Sequence, residues 1–187
     1  MRTARDGAHA LRDALRGEGG TVAACLADPL ADRPADSAVL DRPGPAQVAA
    51  TGPRTRGRAS DYEVLLEMIL EGYRLHYDEP LVVRPDDADL ALLLGDQLDA
   101  LGLARLAELG DLEAVAELAD VISLAAQAHS AADPELARAV WEAGAVSVGW
   151  GASEAHDGAK SRARAHDQGA SDALRAAAGA ARERRGL

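Results

Sequence analysis

The sequence predicts an all-α protein, a small bundle of four main helices with a disordered N-terminal tail. Alanine, a strong helix former, supplies 43 of the 187 residues and close to half of the hydrophobic fraction. Phenylalanine is absent and aromatic residues make up only 3% of the chain, whereas strands favour aromatic and β-branched residues. This composition argues against a β-sandwich, a β-barrel or a doubly wound sheet.

Capping residues divide the helical region into its elements. Ser60 and Glu63 have the spacing of a capping box, which predicts a first helix from Ser60 to about Tyr77. Gly110 and Asp111 form a very short link between the second and third helices, which predicts an antiparallel helical hairpin. The N-caps expected for the three later helices are Asp86 or Asp87, Asp111, and Asp133 with Pro134 after it.

The N-terminal third differs from the rest in its proline content. Five prolines lie between residues 28 and 57, with few large apolar side chains, so this segment buries too little surface to offset its ordering entropy. We predict a disordered or linker-like tail over 1–59 and a helical domain over 60–150. Residues 151–187 are Ala-rich, which predicts a loosely packed helical tail because alanine buries little surface.

Acidic residues are concentrated in the middle of the chain. Residues 61–133 contain three Arg and 17 Asp or Glu, a net charge of −14, whereas the whole chain carries −11. Such a segment repels phosphate groups, so we predict no nucleic-acid partner. The simplest interpretation of these acids is a solvated surface, and the alternative is attraction to a basic partner or to cations.

The hydrophobic pattern predicts a protein of the cytoplasm without a transmembrane segment. The longest strongly apolar run, Leu90–Leu94, is far below the ~20 residues that span a bilayer. The single cysteine, Cys25, excludes an internal disulfide framework. No phosphate-binding loop and no nucleophile with a positioned base is recognisable, so no catalytic residue is predicted.

Aromatic and ionisable residues near the end of the first helix are candidates for a pocket. Tyr73, His76 and Tyr77 lie at helical spacing, although a histidine at the core edge with one hydrogen bond is the simpler interpretation of His76. Gly95 lies within the second helix, where glycine costs about 1 kcal/mol relative to alanine, which suggests that another helix crosses closely there. The complete set of pocket candidates is Tyr73, His76, Tyr77, Asp96 and Trp141.

The run from Leu92 to Leu101, LLLGDQLDAL, is followed by Gly110-Asp111 and by a Leu- and Ala-rich helix. This order resembles the central helix hairpin of the trans-polyprenyl diphosphate synthases, over about a fifth of the chain. The resemblance implies an isoprenoid-synthase-like fragment. In that family an aspartate-rich motif binds magnesium and the allylic diphosphate.

That metal-binding motif is reduced here to Asp78 and Glu79, and Pro80 follows at once. They are weak metal candidates, because magnesium chemistry on a diphosphate needs several converging carboxylates. We therefore predict no metal site and no cofactor, and magnesium would be required only if the protein were catalytic. The nearer analogy is to the family's non-catalytic subunits, which pair with an active partner.

Two hypotheses on function remain open. The first is a non-catalytic helical protein that resembles part of a polyprenyl diphosphate synthase and acts through protein–protein association, as a homo- or hetero-oligomer formed through helix faces. The alternative is an unrelated small helical binding module with an aromatic pocket near Tyr73, His76 and Trp141. An enzymatic function is the less favoured interpretation in both.

Overall fold

The computed structural model describes residues 2–27 and 38–185, and within these residues it has nine α-helices and no strand. The predicted all-α class is confirmed, whereas nine helices are described rather than four main ones. The helices are α1 (Ala4–Glu18), α2 (Gly20–Ala24), α3 (Pro45–Ala50), α4 (Ala59–Tyr77), α5 (Ala88–Glu108), α6 (Leu112–Ser130), α7 (Pro134–Trp150), α8 (Glu154–Arg164) and α9 (Ala170–Arg185).

The predicted N-caps of α5, α6 and α7 are confirmed. The side chains of Asp87, Asp111 and Asp133 each accept a hydrogen bond, at 2.8–3.0 Å, from the backbone N–H three residues later. Each bond satisfies a donor that the helix cannot satisfy itself. The prediction of a capping box at the start of α4 is wrong. Ser60 lies inside the helix, and the side chain of Glu63 binds Arg2 and Gln47 instead.

The chain divides into two compact units, residues 1–47 with 60–109 and residues 48–59 with 110–187. The first unit contains α1, α2, α4 and α5. Its buried core draws on all four helices and on the segment that follows α4. The largest core side chains are Leu11, Leu15, Met68, Leu94 and Leu98.

Within the predicted tail over 1–59, the described residues include three helices, α1, α2 and α3. In α1, the side chains at positions 4, 8, 11 and 15 form one apolar stripe, and Leu11 and Leu15 are fully buried. The composition of residues 1–59 did not predict this stripe, because alanine supplies half of it. The prolines on which the predicted tail was based come only after α1. The proline-rich residues 28–37, and residue 1, lie outside the described part.

The second unit contains α6, α7, α8 and α9. Gly144 of α7 faces Val121 of α6 with no space for a side chain, so the two helices approach closely. The C-terminal helices also differ from the predicted loose tail, because α8 and α9 bury one face each. The buried residues include Ala159 and Ala163 of α8 and Leu174 and Ala177 of α9.

Candidate functional site

The candidate site lies where α4 and α5 cross in the first unit. A Cβ atom on Gly72 of α4 would lie 2.9 Å from the carbonyl oxygen of Gly95, and one on Gly95 would lie 2.5 Å from Nε2 of His76. Neither position has space for a side chain without a shift of its neighbours. The predicted close crossing at Gly95 is thus confirmed, and α4 is the helix that crosses it.

The crossing brings four of the five predicted pocket residues into one connected group. Nε2 of His76 lies 3.2 Å from Oδ1 of Asp96, and the ring of His76 lies 5.6 Å from the ring of Tyr77. The ring of Tyr73 is also 5.6 Å from that of Tyr77. His76 is mostly buried, whereas the side chain of Asp96 is 77% exposed, so this histidine lies at the core edge with a carboxylate partner.

Trp141, the fifth candidate, lies on α7 in the second unit. Its side chain is buried there, 3% exposed, among the helices of that unit. Its burial makes Trp141 part of the packing of α7.

Asp99 is a site residue that the sequence did not single out. Its Oδ1 atom is buried without a hydrogen-bond partner among the described residues, and a Cβ atom on Gly72 would lie 2.6 Å from it. Burial, with a smaller contribution from the like charge of Asp96, raises the pKa of Asp99 to about 7. The available signal was spacing, since Asp99 lies one turn after Gly95 and therefore on the same helix face.

This arrangement places the imidazole of His76 and the carboxyl of Asp99, whose pKa is about 7, on one helix crossing. A carboxyl with that pKa changes charge near neutral pH, so the hydrogen bonds that it can form depend on pH. The chemistry offered is therefore polar recognition next to aromatic rings.

The weak metal candidates Asp78 and Glu79 are engaged within the protein. Oδ1 of Asp78 accepts a hydrogen bond from the backbone N–H of Glu79 at 2.8 Å, and Glu79 lies 3.7 Å from Arg84. Over residues 2–27 and 38–185, no cluster of three or more His, Cys, Asp or Glu side chains has the geometry to hold a metal ion.

Large apolar side chains are exposed beside the crossing. Leu92 and Leu93 of α5 are 48% and 65% exposed, and Tyr77 at the end of α4 is 43% exposed. The opposite face of α5 buries Leu94 and Leu98 in the core. This helix is therefore apolar on more than the face that packs inside the unit.

Two buried ionic clusters are exceptions to the predicted solvated acidic surface, since most of the acids in residues 61–133 are exposed. In the first unit Glu63, Glu67 and Glu71 are all buried on α4, one turn apart. In the second unit Glu117 of α6 is buried against His156 and Lys160 of α8. Sequence alone gives little signal for such burial, because most of the partners lie far away along the chain.

No protein-family model, curated protein or solved structure matches this chain. The resemblance to the polyprenyl diphosphate synthases therefore stays a prediction. None of the helices in the described residues has both the length and the apolar character needed to cross a bilayer.

Proposed function

We propose that this chain is a non-catalytic helical protein, related to part of a trans-polyprenyl diphosphate synthase, that acts by protein–protein association. The observation that carries the proposal is the exposed pair Leu92 and Leu93 on α5. Leu92 and Leu93 lie away from the buried Leu94 and Leu98, so α5 exposes apolar surface besides the face that packs in the core. Adjacent exposed leucines on one helix form the kind of patch that marks an interaction site.

The helix boundaries support the proposed relationship. Gly95 and Asp96 lie inside α5, and Gly110 and Asp111 lie between α5 and α6. Gly110 adopts the left-handed conformation, with φ of 81°, that ends a helix sharply. These are the positions at which the resembled hairpin has its Gly-Asp pairs.

The non-catalytic part of the proposal rests on the small number of carboxylates that could hold magnesium at a diphosphate. Prenyl transfer needs a diphosphate leaving group neutralised by magnesium, which several carboxylates hold. Asp78 and Glu79, followed by a proline, are all that remains of the resembled motif. We expect no chain-elongated product from the purified chain with magnesium and isoprenyl diphosphates, and a product abolished by Asp78→Ala would overturn this expectation.

Association is tested with the purified chain and two matched variants. Leu93→Asp places a charge on α5, and Leu112→Asp places the same charge on an equally exposed leucine of α6, since Leu112 is 68% exposed. Sedimentation velocity and affinity capture from the native host should give a stoichiometric complex that Leu93→Asp loses and Leu112→Asp retains. A chain that stays monomeric and captures no stoichiometric partner would refute the proposed association.

A binding module that recognises a ligand by its aromatic side chains is the second candidate function. The contacts among Tyr73, His76 and Tyr77 favour it, because they place three rings and a carboxylate together at the end of α4. Screening small molecules by the NMR shifts of the tyrosine and histidine rings tests this candidate. Ligands that shift these rings, and lose affinity in Tyr77→Ala, would support it over association.

A further inference from the structure

We propose that the exposed leucine patch of α5, Leu92 and Leu93, binds a basic amphipathic helix of another protein. This inference rests on the proposed function and names the partner's chemistry. It begins from the position of the patch between two acids. Asp89 precedes the leucines by one helical turn and Asp96 follows them by one turn, so all four side chains share a face.

Both acids are placed to meet cations from outside. Asp89 and Asp96 are exposed, and Asp96 pairs with His76, which is charged in its protonated form alone. A partner that covers the leucines would bring its own side chains within reach of these carboxylates. Lysine or arginine at those positions would match the charge of the patch.

The three arginines of residues 61–109, the part of the first unit that carries the patch, are paired with acids within that unit. Arg74 pairs with Glu67 and Glu71, and Arg105 with Glu18. Arg84 lies 3.7 Å from Glu79. These three arginines are therefore engaged with acids other than Asp89 and Asp96.

The negative charge of Asp89 and Asp96 favours some partners of the leucine patch over others. A second copy would bring the same two acids and a net charge of −11, so the like charges would oppose self-association. A helix that places leucine or alanine on one face, with lysine or arginine one turn to either side, satisfies both the leucines and the acids. Helix-to-helix docking of this kind uses anchors at spacings of three and four residues.

The test uses two synthetic helical peptides of about 20 residues, the length of α5 itself. Both carry the same leucine and alanine face, and the flanking positions are lysine in one and glutamate in the other. Fluorescence anisotropy measures their binding to the full chain. We expect the lysine peptide to bind at least about tenfold more tightly than the glutamate peptide at about 20 mM NaCl, and to lose most of that advantage at about 200 mM.

Substitutions in the chain show where the peptide binds. Leu93→Asp should weaken the lysine peptide about tenfold or more, and the milder Leu93→Gln should weaken it in the same direction. Asp89→Asn should reduce the difference between the two peptides. Leu112→Asp, the matched control, should leave both affinities unchanged. Circular dichroism of each variant shows whether the helices are retained.

Three results would overturn the inference. Equal binding of both peptides, or binding of neither, would show that charge does not select the partner. Equal weakening by Leu112→Asp would show that the peptide does not bind α5. A concentration-dependent dimer that Leu93→Asp abolishes would identify a second copy as the occupant. That last result would leave the proposed association intact, whereas a monomer without any partner would remove both.

Discussion

Glu67 in the first unit and Glu117 in the second are both buried glutamates on long helices, yet their pKa values move in opposite directions. Burial raises the pKa of Glu67, and the nearby Arg74 opposes that rise only in part. Burial would also raise the pKa of Glu117, but the hydrogen bond and charge of His156, together with those of Lys160, outweigh it and lower the pKa. Neighbours, rather than burial itself, decide the outcome.

The contacts explain the difference. Glu67 accepts a hydrogen bond from the neutral amide of Gln47 at 2.9 Å, and it shares the guanidinium of Arg74 with Glu71 at 3.3 and 3.2 Å. Two carboxylates therefore compete for one cation. Gly7 of α1 also packs against this group, where a Cβ atom would lie 2.7 Å from Oε1 of Glu67.

Glu117 has one cationic or protonatable group for each carboxylate oxygen. Its Oε1 lies 2.7 Å from Nε2 of His156, and its Oε2 accepts from Nζ of Lys160 at 2.8 Å. Lys160, the single lysine of the chain, also donates to Asp120 at 2.8 Å. Asp120 in turn accepts from Arg164 at 2.5 Å, so acidic and basic side chains alternate along the cluster.

Asp99 extends the comparison to a carboxyl group without a cation. Its neighbour is the acid Asp96, and its pKa rises to about 7. The three groups therefore form a series: Glu117 with two basic neighbours, Glu67 with one that is shared, and Asp99 with none. Each of the following substitutions tests one member of this series or its surroundings.

The largest effect is expected for Glu71→Ala. The carboxylate of Glu71 accepts from the backbone N–H groups of Leu81, Val82 and Val83 at 3.1, 2.6 and 2.9 Å, and all three residues are buried. A buried donor left without a partner costs about 1–3 kcal/mol. We expect the free energy of unfolding to fall by about 4 kcal/mol or more, measured by urea denaturation. Glu108→Ala, at an exposed glutamate of α5, is the control and should change it by less than about 0.5 kcal/mol.

The next effect is expected for Lys160→Met, which removes the cation between two acids. Breaking a buried ion pair from one side leaves an uncompensated charge and costs about 3–5 kcal/mol. Both tryptophans of the chain, Trp141 and Trp150, lie in the second unit, so tryptophan fluorescence reports its unfolding. We expect a loss of about 3 kcal/mol, and the double variant with Glu117→Leu should recover part of it. A loss below about 1 kcal/mol would mean that the cluster contributes little.

Local structure was predictable where its cause is local. The aspartates that cap α5, α6 and α7 were identified from sequence, because a cap bonds to a backbone group only three residues away. The crossing at Gly95 was also predictable, because a glycine inside a helix is less favourable than alanine and is typical of a close contact with another helix. These are features that a few neighbouring residues determine.

The buried ionic clusters and the α1 core were not predictable, because their causes are distant in sequence. Glu63 is buried with Arg2 and Gln47, which lie 61 and 16 positions away. Glutamates spaced by four residues are also typical of an exposed helix face, so their pattern alone misleads. At the candidate site, the contact of His76 with Asp96 joins residues that were both selected, whereas Asp99 required knowledge of which face crosses α4.

A smaller effect, of opposite sign, is expected for Asp99→Asn. The pKa of Asp99 is raised from its ordinary 3.8 to about 7, so the folded state binds the proton more tightly and wild-type stability falls as the pH rises between these values. Asparagine removes this penalty. We expect the variant to be more stable than wild type by about 2 kcal/mol at about pH 8, about half of what the full shift implies because Asp99 is only partly buried, and nearly equal to it at about pH 4. Asp89→Asn, at an exposed acid of the same helix, should not show this dependence.

The smallest expected effect is a difference between Glu67 and Glu117 in the pH range over which each contributes to the free energy of unfolding. Glu67 has a raised pKa, so its contribution to stability is complete below the ordinary 4.5 and is lost as the pH rises above it. Glu117 has a lowered pKa, so its contribution is present above 4.5 and is lost as the pH falls. Relative to wild type, Glu67→Gln should therefore gain stability as the pH rises from about 4.5 to 7.5. By the same argument, Glu117→Gln should approach wild type only as the pH falls below about 4.5.

The change for Glu67→Gln should be the smallest of the series, because Arg74 still cancels part of the burial cost. Urea denaturation in steps of pH measures both curves, with hydrogen exchange of α4 and α6 to assign each change to its unit. Two curves of the same sign would mean that burial dominates both sites and that the basic neighbours of Glu117 do not outweigh it. Opposite signs in separate pH ranges would establish that the shared cation of Glu67 and the paired groups of Glu117 set the difference.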